Sequence, residues 1–369
     1  MAGPEPVSTI AGRAALLGMT QAQLEGFMAS LGEPRYRARQ VFQWLFRHRA
    51  ADFQAMTNLP AALRTLLEER AVIDVAQLIL SQEDPDDGTR KFLFRLLADG
   101  ETVETVLMRY RHGFSLCVST QVGCRMGCRF CASTMGGKVR DLTAAEIVQQ
   151  VVSVQRALDP AGERIGSIVV MGMGEPLENY DNLVRFLRIV NDPEGLGIGL
   201  RHITVSTVGL VPAIRRLAEE GLPVTLAVSL HAPNDYIRSQ IMPINVRYPL
   251  AQLMDACRDY VAKTGRRISF EYIMMDGVND HPELARELAV LVGDLLCHIN
   301  LIPCNPVPDR PYKPSPPRRM QVFRDILRRA GLQVTIRRTL GRKIEAACGQ
   351  LRRRALAEKQ EGRPVPAKG

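Results

Sequence analysis

The sequence predicts an α/β fold, a partial TIM-type (β/α)6 barrel preceded by a small helical domain and a β extension. Three observations carry this. From residue 115 onward, short apolar strand patterns alternate with helical ones, the signature of a parallel sheet. Six such repeats are too few to close an eight-fold barrel. Polar residues recur just where these strands end, and ligands sit at the C-terminal strand ends of such folds.

Residues 1–72 read as a helical domain. "TQAQLEGFMASLG" offers Thr20 as N-cap and Gly32 as stop, and "PRYRARQVFQWLFRHRA" places Val41, Trp44 and Leu45 at helical spacing. The same segment carries Arg35, Arg37, Arg39, Arg47 and Arg49. A solvated basic face and an RNA-contacting face are both consistent with that pattern. Residues 73–110 change texture. "AQLILS", "TRKFLFRLL" and "ETVETVLMRY" are strands parted by "DPDDG", "ADG" and "RHG", so this stretch reads as an antiparallel β extension.

The core spans 111–345. Its strands fall near 115–119, 167–172, 202–206, 223–229, 268–274 and 297–302, with a seventh extended run near 333–338. "TAAEIVQQVVSVQRAL" and "LAQLMDACRDYVAKTG" are two of the helices between them. Residues 346–369 form a last segment with Cys348 and a polar, basic tail that reads as disordered.

The bulk properties exclude some classes. No apolar run approaches the roughly 18 residues of a membrane-spanning helix, and "MAGPEPVSTIAGRA" lacks the layout of a signal peptide. The expectation is a cytoplasmic, monomeric protein with no membrane contact, whose cysteines are thiols or metal ligands. Among 369 residues the net charge is +9, which suits an anionic partner such as RNA and equally a basic enzyme without one.

"QVGCRMGCRFCAST" places Cys124, Cys128 and Cys131 on one loop, out of 8 cysteines in the chain. Three thiolates together seek a soft metal. Zinc sites usually pair two CxxC elements into four ligands, and here a zinc loop would need a distant fourth. A four-iron cluster normally takes four thiolates. Three leave one iron with an open position, which a ligand-binding cluster requires. Beyond this loop, "VVMGMGEPLENYDN" carries Gly174 and Glu175 at a strand end, and Ser206, Ser229, His231 and Asn305 follow later strands. One such residue is explained by capping. A series on successive strands points to one ligand pocket. Glu175 suits a cationic ammonium, and no partner histidine supports His231 as a metal ligand. Cys117 and Cys348 are isolated thiols, which by themselves read as small buried apolar residues.

CxxxCxxC with Phe130 before its last cysteine resembles the radical S-adenosylmethionine (SAM) superfamily. The stretches "VETV", "CVSTQVGCRMGCRFCAST", "RDLTAAEIVQQV", "MGMGEPLENYDN", "VSTVG", "SLHAPND", "FEYIMMDGVND", "HINLIPCNPV" and "AACGQL" are similar to the RlmN/Cfr family of RNA methyltransferases. The resemblance implies one [4Fe-4S] cluster on Cys124, Cys128 and Cys131, and two SAM per turnover. It implies SAM binding at Gly174, Glu175, Ser206, Ser229, Leu230, His231 and Asn305. It implies that Cys348 is methylated, that Cys117 is its disulfide-forming partner and that Glu104 is a proton acceptor. The implied substrates are adenine 2503 of 23S rRNA and adenine 37 of tRNA, methylated at C2, with a reductant such as flavodoxin. The Cfr branch would methylate C8 of the same rRNA adenosine. A ferredoxin-like carrier would want four cysteine ligands, and sulfur insertion a second cluster. Cys257, Cys297 and Cys304 read instead as buried thiols.

Overall fold

A computed structural model describes residues 8–308 and 310–344. The expected basic tail and Cys348 lie outside the described residues.

The N-terminal region is not helical throughout. Two short strands, β1 (Thr9–Ile10) and β2 (Arg13–Ala15), precede α1 (Gln21–Ser30), α2 (Tyr36–Phe46) and α3 (Ala61–Arg70), and β3 (Ala71–Val72) pairs back onto β2. Thr20 caps α1 through a reciprocal box with Gln23.

β4 (Ala76–Glu83), β5 (Arg90–Leu96) and β6 (Thr102–Tyr110) are antiparallel, as expected. They are no separate appendage, however. β6 pairs antiparallel with β7 (Gly113–Cys117), and β7 pairs parallel with β10 (Ile165–Val170). The two regions share one 10-stranded sheet. Between them lies a small hairpin, β8 (Gln121–Gly123) with β9 (Lys138–Asp141), whose tip carries the cysteines.

The parallel part then advances one strand at a time. The chain runs through α4 (Ala144–Leu158), β10, α5 (Tyr180–Asn191), β11 (Ile203–Thr207), α6 (Val211–Glu219) and β12 (Thr225–Ser229). It continues through α7 (Asp235–Ile241), α8 (Ile244–Arg247), α9 (Leu250–Thr264), β13 (Ile268–Met274), α10 (Pro282–Val292), β14 (Cys297–Pro303), α11 (Pro317–Arg329) and β15 (Val334–Ile336). The order β7-β10-β11-β12-β13-β14-β15 is that of a partial barrel, because consecutive right-handed crossovers put every helix on one face.

The two faces differ in chemistry. Ile168, Val205, Val228, Phe270, Ile299 and Leu301 point toward the helices and join one apolar core. Their strand neighbours Thr204, Ser206, Ser229, Glu271 and Asn300 point the other way, since successive side chains alternate. The sheet is therefore apolar outside and polar inside, not apolar on both faces as a buried parallel sheet usually is.

The N-terminal region packs on α4, and its apolar residues Leu17, Phe42 and Leu67 merge with Val148, Val151 and Val152 into the same core. Arg156 of α4 fastens the junction. Its guanidinium donates to both carboxylate oxygens of Asp74 (2.8 and 3.0 Å) and to the carbonyls of Arg49 and Ala50. Part of the basic patch is used similarly. Arg39 pairs with Glu194 at 2.9 Å and Arg49 with Asp159 at 2.6 Å. These two arginines dock one region onto the other, an outcome neither reading of the sequence pattern contains.

Arg156→Met leaves the carbonyls of Arg49 and Ala50 without their side-chain donor, and the partly buried Asp74 carboxylate with Gln149 as its remaining donor. It should lower stability by about 2 kcal/mol, measured as a fall in the denaturant midpoint at unchanged slope.

Candidate active site

The cysteine loop is held at its base. The amide of Cys124 donates to the carbonyl of Gly137 at 2.9 Å, closing the loop on itself. Gly123, at φ +76°, makes this possible, because a Cβ there would lie 2.0 Å from the Gly137 oxygen. The Thr134 hydroxyl donates to the carbonyls of Cys128 and Cys131, folding the tip inward. A second layer comes from the segment after β10. Glu178 accepts from Gln121 at 2.7 Å and Lys138 at 3.1 Å, and also from Arg125. Asn179 donates to the carbonyls of Thr120 and Leu142. "LENYDN" thus braces the cysteine loop, a role that the sequence pattern does not reveal.

Cys124, Cys128 and Cys131 line one cavity of about 270 Å³ together with Gly174, Glu175, Ser206, Ser229, His231 and Asn305. Leu230 does not line it. Its side chain is in the apolar core, and its carbonyl is taken by Arg238. Gly174 (φ +108°) lies so close to Gln121 that a Cβ would meet that side chain at 2.6 Å. The close approach lets Gln121 accept from the Glu175 amide at 2.8 Å.

Burial, with the charges of the neighbouring cysteines adding to it, pushes the Cys124 thiol up to about 12 and Cys128 well above its ordinary value. Thiolates that repel one another on one loop ask for a cationic centre. Among the described residues no three His, Cys, Asp or Glu side chains converge as ligands of a single metal ion. A zinc site gathers its ligands within about 2.0–2.3 Å of one ion, whereas a four-iron cluster takes one thiolate at each of separate corners. The donor set therefore fits a cluster that Cys124, Cys128 and Cys131 would hold at the wall of the cavity.

Glu175 is buried, and burial raises its carboxyl to about 7 against the amides of Val208 and Leu177, which donate to it at 2.8 and 3.1 Å. His231 adopts φ +60°, rare for a side chain with a Cβ. Asn279 secures it by donating to its carbonyl at 2.7 Å. Its Nδ1 accepts from the Ile273 amide, so the ring proton sits on Nε2. Burial, with the charge of Arg238, lowers its pKa to about 3, so the ring is neutral. Phe130 meets this ring edge-on at 4.9 Å between centroids, which gives the aromatic before Cys131 a packing role.

Arg238 escaped the sequence reading. It is 1% exposed and donates to the carbonyls of Val208 (2.7 Å), Ser229 (3.2 Å) and Leu230 (3.0 Å) and to Asn245 (2.8 Å). Its charge also favours the ionised form of Cys128.

A second cavity of about 200 Å³ abuts the first, sharing Met171, Ile302, Pro303 and Asn305. Cys117 lines it, with Val106, Met108, Tyr110, Arg337, Arg338 and Leu340. Cys117 lies opposite Val106 in the β6–β7 register. Glu104 is on the same face of β6 as Val106, two residues earlier, and its carboxylate pairs with fully buried Lys91 at 3.0 Å. Cys257, Cys297 and Cys304 are buried free thiols.

The N-terminal region, residues 14–73, matches the ribosomal RNA large subunit methyltransferase N-terminal domain, and residues 118–289 match the radical SAM superfamily. A protein of Symbiobacterium thermophilum, described as a probable dual-specificity RNA methyltransferase RlmN, is 56% identical over 93% of this chain and 92% of its own. A protein of Geobacillus kaustophilus with the same description is 52% identical over 94% of each chain.

The chain belongs to the RlmN family.

The crystal structure of a radical SAM methyltransferase from Sphaerobacter thermophilus superposes with a TM-score of 0.88 at 50% identity, over 91% of this chain and 98% of that one. RlmN-family membership makes this a radical SAM fold and implies an iron–sulfur cluster and SAM, for which the loop and cavity are suited. Among the described residues no helix is long and apolar enough to cross a membrane.

Replacing Arg238 by Met removes donors from buried carbonyls at the strand ends. Each orphaned acceptor costs about 1–3 kcal/mol, so the variant should lose about 3 kcal/mol or more in chemical denaturation. Little change would mean the rim holds without it.

Proposed function

We propose that this chain methylates C2 of adenine 2503 in 23S rRNA and of adenine 37 in tRNA, through a methylated Cys348. The observation that supports the reading most is the abutment of two cavities, one lined by the cysteine triad and the other by Cys117. When bound on Cys124, Cys128 and Cys131, a [4Fe-4S] cluster with SAM at its open iron supplies the one-electron chemistry that no side chain can provide.

The chain's own residues do the rest. C2 of adenine is electron-poor and does not attack a methyl donor. The Cys348 thiolate is a good nucleophile and takes the methyl group of one SAM by displacement. A second SAM is consumed in activating that methyl group for bonding to C2. Glu104 or Cys117 then accepts the C2 proton, Glu104 from its position against Lys91. The Cys117 thiolate attacks the sulfur of Cys348 and breaks its bond to the transferred carbon, which keeps the electron pair and takes up a proton to become the methyl group, leaving a Cys117–Cys348 disulfide. A thiol reductant restores both thiols. Gly174, Glu175, Ser206, Ser229, His231 and Asn305 surround SAM, with the Leu230 carbonyl fixed behind them. The N-terminal domain contributes RNA contacts, and a flavodoxin-type protein supplies electrons.

Product analysis decides the reading. Anaerobic enzyme with SAM, reductant and protein-free rRNA or tRNA should yield 2-methyladenosine in the digested RNA, identified by mass spectrometry. 8-Methyladenosine would assign the Cfr-type reaction, and neither product would overturn the reading. Cys117→Ala should accumulate RNA crosslinked to protein.

Glu175 gives a pH signature. An ammonium binds the ionised carboxylate, so SAM binding expels a proton from a group whose pKa is about 7. SAM affinity should strengthen as pH rises through that value and level off above it, in calorimetric titrations from about pH 6 to about pH 8. Glu175→Gln should bind weakly and without this slope.

A further inference from the structure

The turn "DPDDG" between β4 and β5 does more than reverse the chain. Its own closure uses the backbone, with the Asp84 amide donating to the Thr89 carbonyl at 2.8 Å and the Gly88 amide to the Asp84 carbonyl at 2.9 Å. The side chains face elsewhere. Asp84 is 1% exposed. Its Oδ1 accepts from the Asp86 amide at 2.9 Å, and its Oδ2 accepts from the Lys343 amide at 2.9 Å. Asp87 repeats the arrangement, taking the Thr89 amide at 2.9 Å on Oδ1 and the Gly341 amide at 2.8 Å on Oδ2. Each carboxylate thus spends one oxygen on the turn and the other on the segment after β15. Lys343 Nζ adds an exposed pair to Asp86 at 2.7 Å.

That segment reaches the second cavity first. Arg338, Thr339 and Leu340 line it, and Leu340 packs with Val106, Met108 and Cys117. The chain passes the cavity, is pinned at Gly341 and Lys343, and reaches Cys348 five residues beyond Lys343. An extended chain advances at most about 3.3–3.6 Å per residue, so five residues reach at most about 18 Å, and the pin fixes the point, Lys343, from which that reach is measured. Without it, the contact nearest to Cys348 among those described would be that of Leu340, eight residues before the thiol, and the free chain would sweep a larger volume. Shortening a tether raises the effective concentration of what it carries.

We propose that Asp84 and Asp87 are positioning residues for methyl transfer, clamping the chain that delivers Cys348 to the cavity lined by Cys117. The proposal rests on Cys348 being the methyl carrier. The turn is remote from the cysteine loop in sequence, so its loss should leave SAM cleavage intact and uncouple it from RNA methylation.

The test uses full-length enzyme with its cluster reconstituted. An Asn at either position keeps one acceptor oxygen and loses the other, so Asp84→Asn/Asp87→Asn cannot satisfy both turn and clamp. Hydrogen–deuterium exchange of residues 338–344, before SAM is added, should rise in the double variant. Methylated RNA should fall by about twofold or more, with deoxyadenosine release unchanged, so that the ratio of the two products shifts. Asp86→Asn, which loses only the exposed pair, should behave as wild type. Lys343→Pro removes the amide given to Asp84 while leaving the turn intact, and decides the matter if the double variant does not fold. Wild-type exchange in 338–344, or increased exchange with an unchanged product ratio, overturns the clamp. Wild-type enzyme that never methylates Cys348 overturns the proposed function instead, and the exchange result still judges the clamp.

Discussion

Four oxygen acceptors from different parts of the rim converge on the guanidinium of Arg238. The carbonyls of Val208, Ser229 and Leu230 end two adjacent strands, where the backbone leaves the ladder and its acceptors lose their partners. One planar fork of donors satisfies them together, which a lysine ammonium does not reproduce. Asn245 completes the set and is itself fixed by Asp235, whose carboxylate also accepts the Leu250 amide at the start of α9. The strand ends that bear Ser206, Ser229 and His231 thereby become a rigid rim. The same buried charge stands beside the thiol of Cys128, so scaffold and electrostatics come from one side chain.

The inward polarity of the sheet follows from the work asked of it. On the outer face, apolar strands and helices bury one continuous core, which supplies the stability. The inner face carries groups that apolar packing would forbid. Ser269 and Asn300 donate to one oxygen of buried Glu271 at 2.9 and 3.0 Å, while its other oxygen has no hydrogen-bond partner among the described residues. Buried polar groups left unmatched cost free energy. The barrel interior is thus less stable than an apolar one would be, in return for space and polarity at its mouth.

Much of this was legible in the sequence. The strand expected near 167–172 is Ile165–Val170, and the one near 202–206 is Ile203–Thr207, because alternating strand and helix patterns survive any uncertainty at their ends. The rim residues were legible because a polar side chain after each apolar strand stands out. Other features leave no local trace. Strands of two or three residues, such as β1 and β3, have no periodicity to detect. The fusion of the antiparallel strands with the barrel is a matter of pairing, which side-chain pattern does not encode. Arg238 sits in "NDYIRSQ", where it resembles an ordinary surface residue, and only the fold shows that it is enclosed. Asp84 and Asp87 resemble common turn residues for the same reason, since their partners lie 259 and 254 positions away.

Those separations bear on how the molecule is made. A chain leaving the ribosome can pair β4 with β5 and β6 early, since these contacts are local, and can form the cysteine hairpin and most of the barrel soon after. Gly341 and Lys343 meet their carboxylates only after 254 and 259 further positions have emerged. Among the described residues, these late contacts belong to the segment that runs along the wall of the second cavity. A product stalled before Gly341 would present the cysteine loop on the barrel strands already made while that wall stayed open, so progress of synthesis past this segment is written into the geometry of the site.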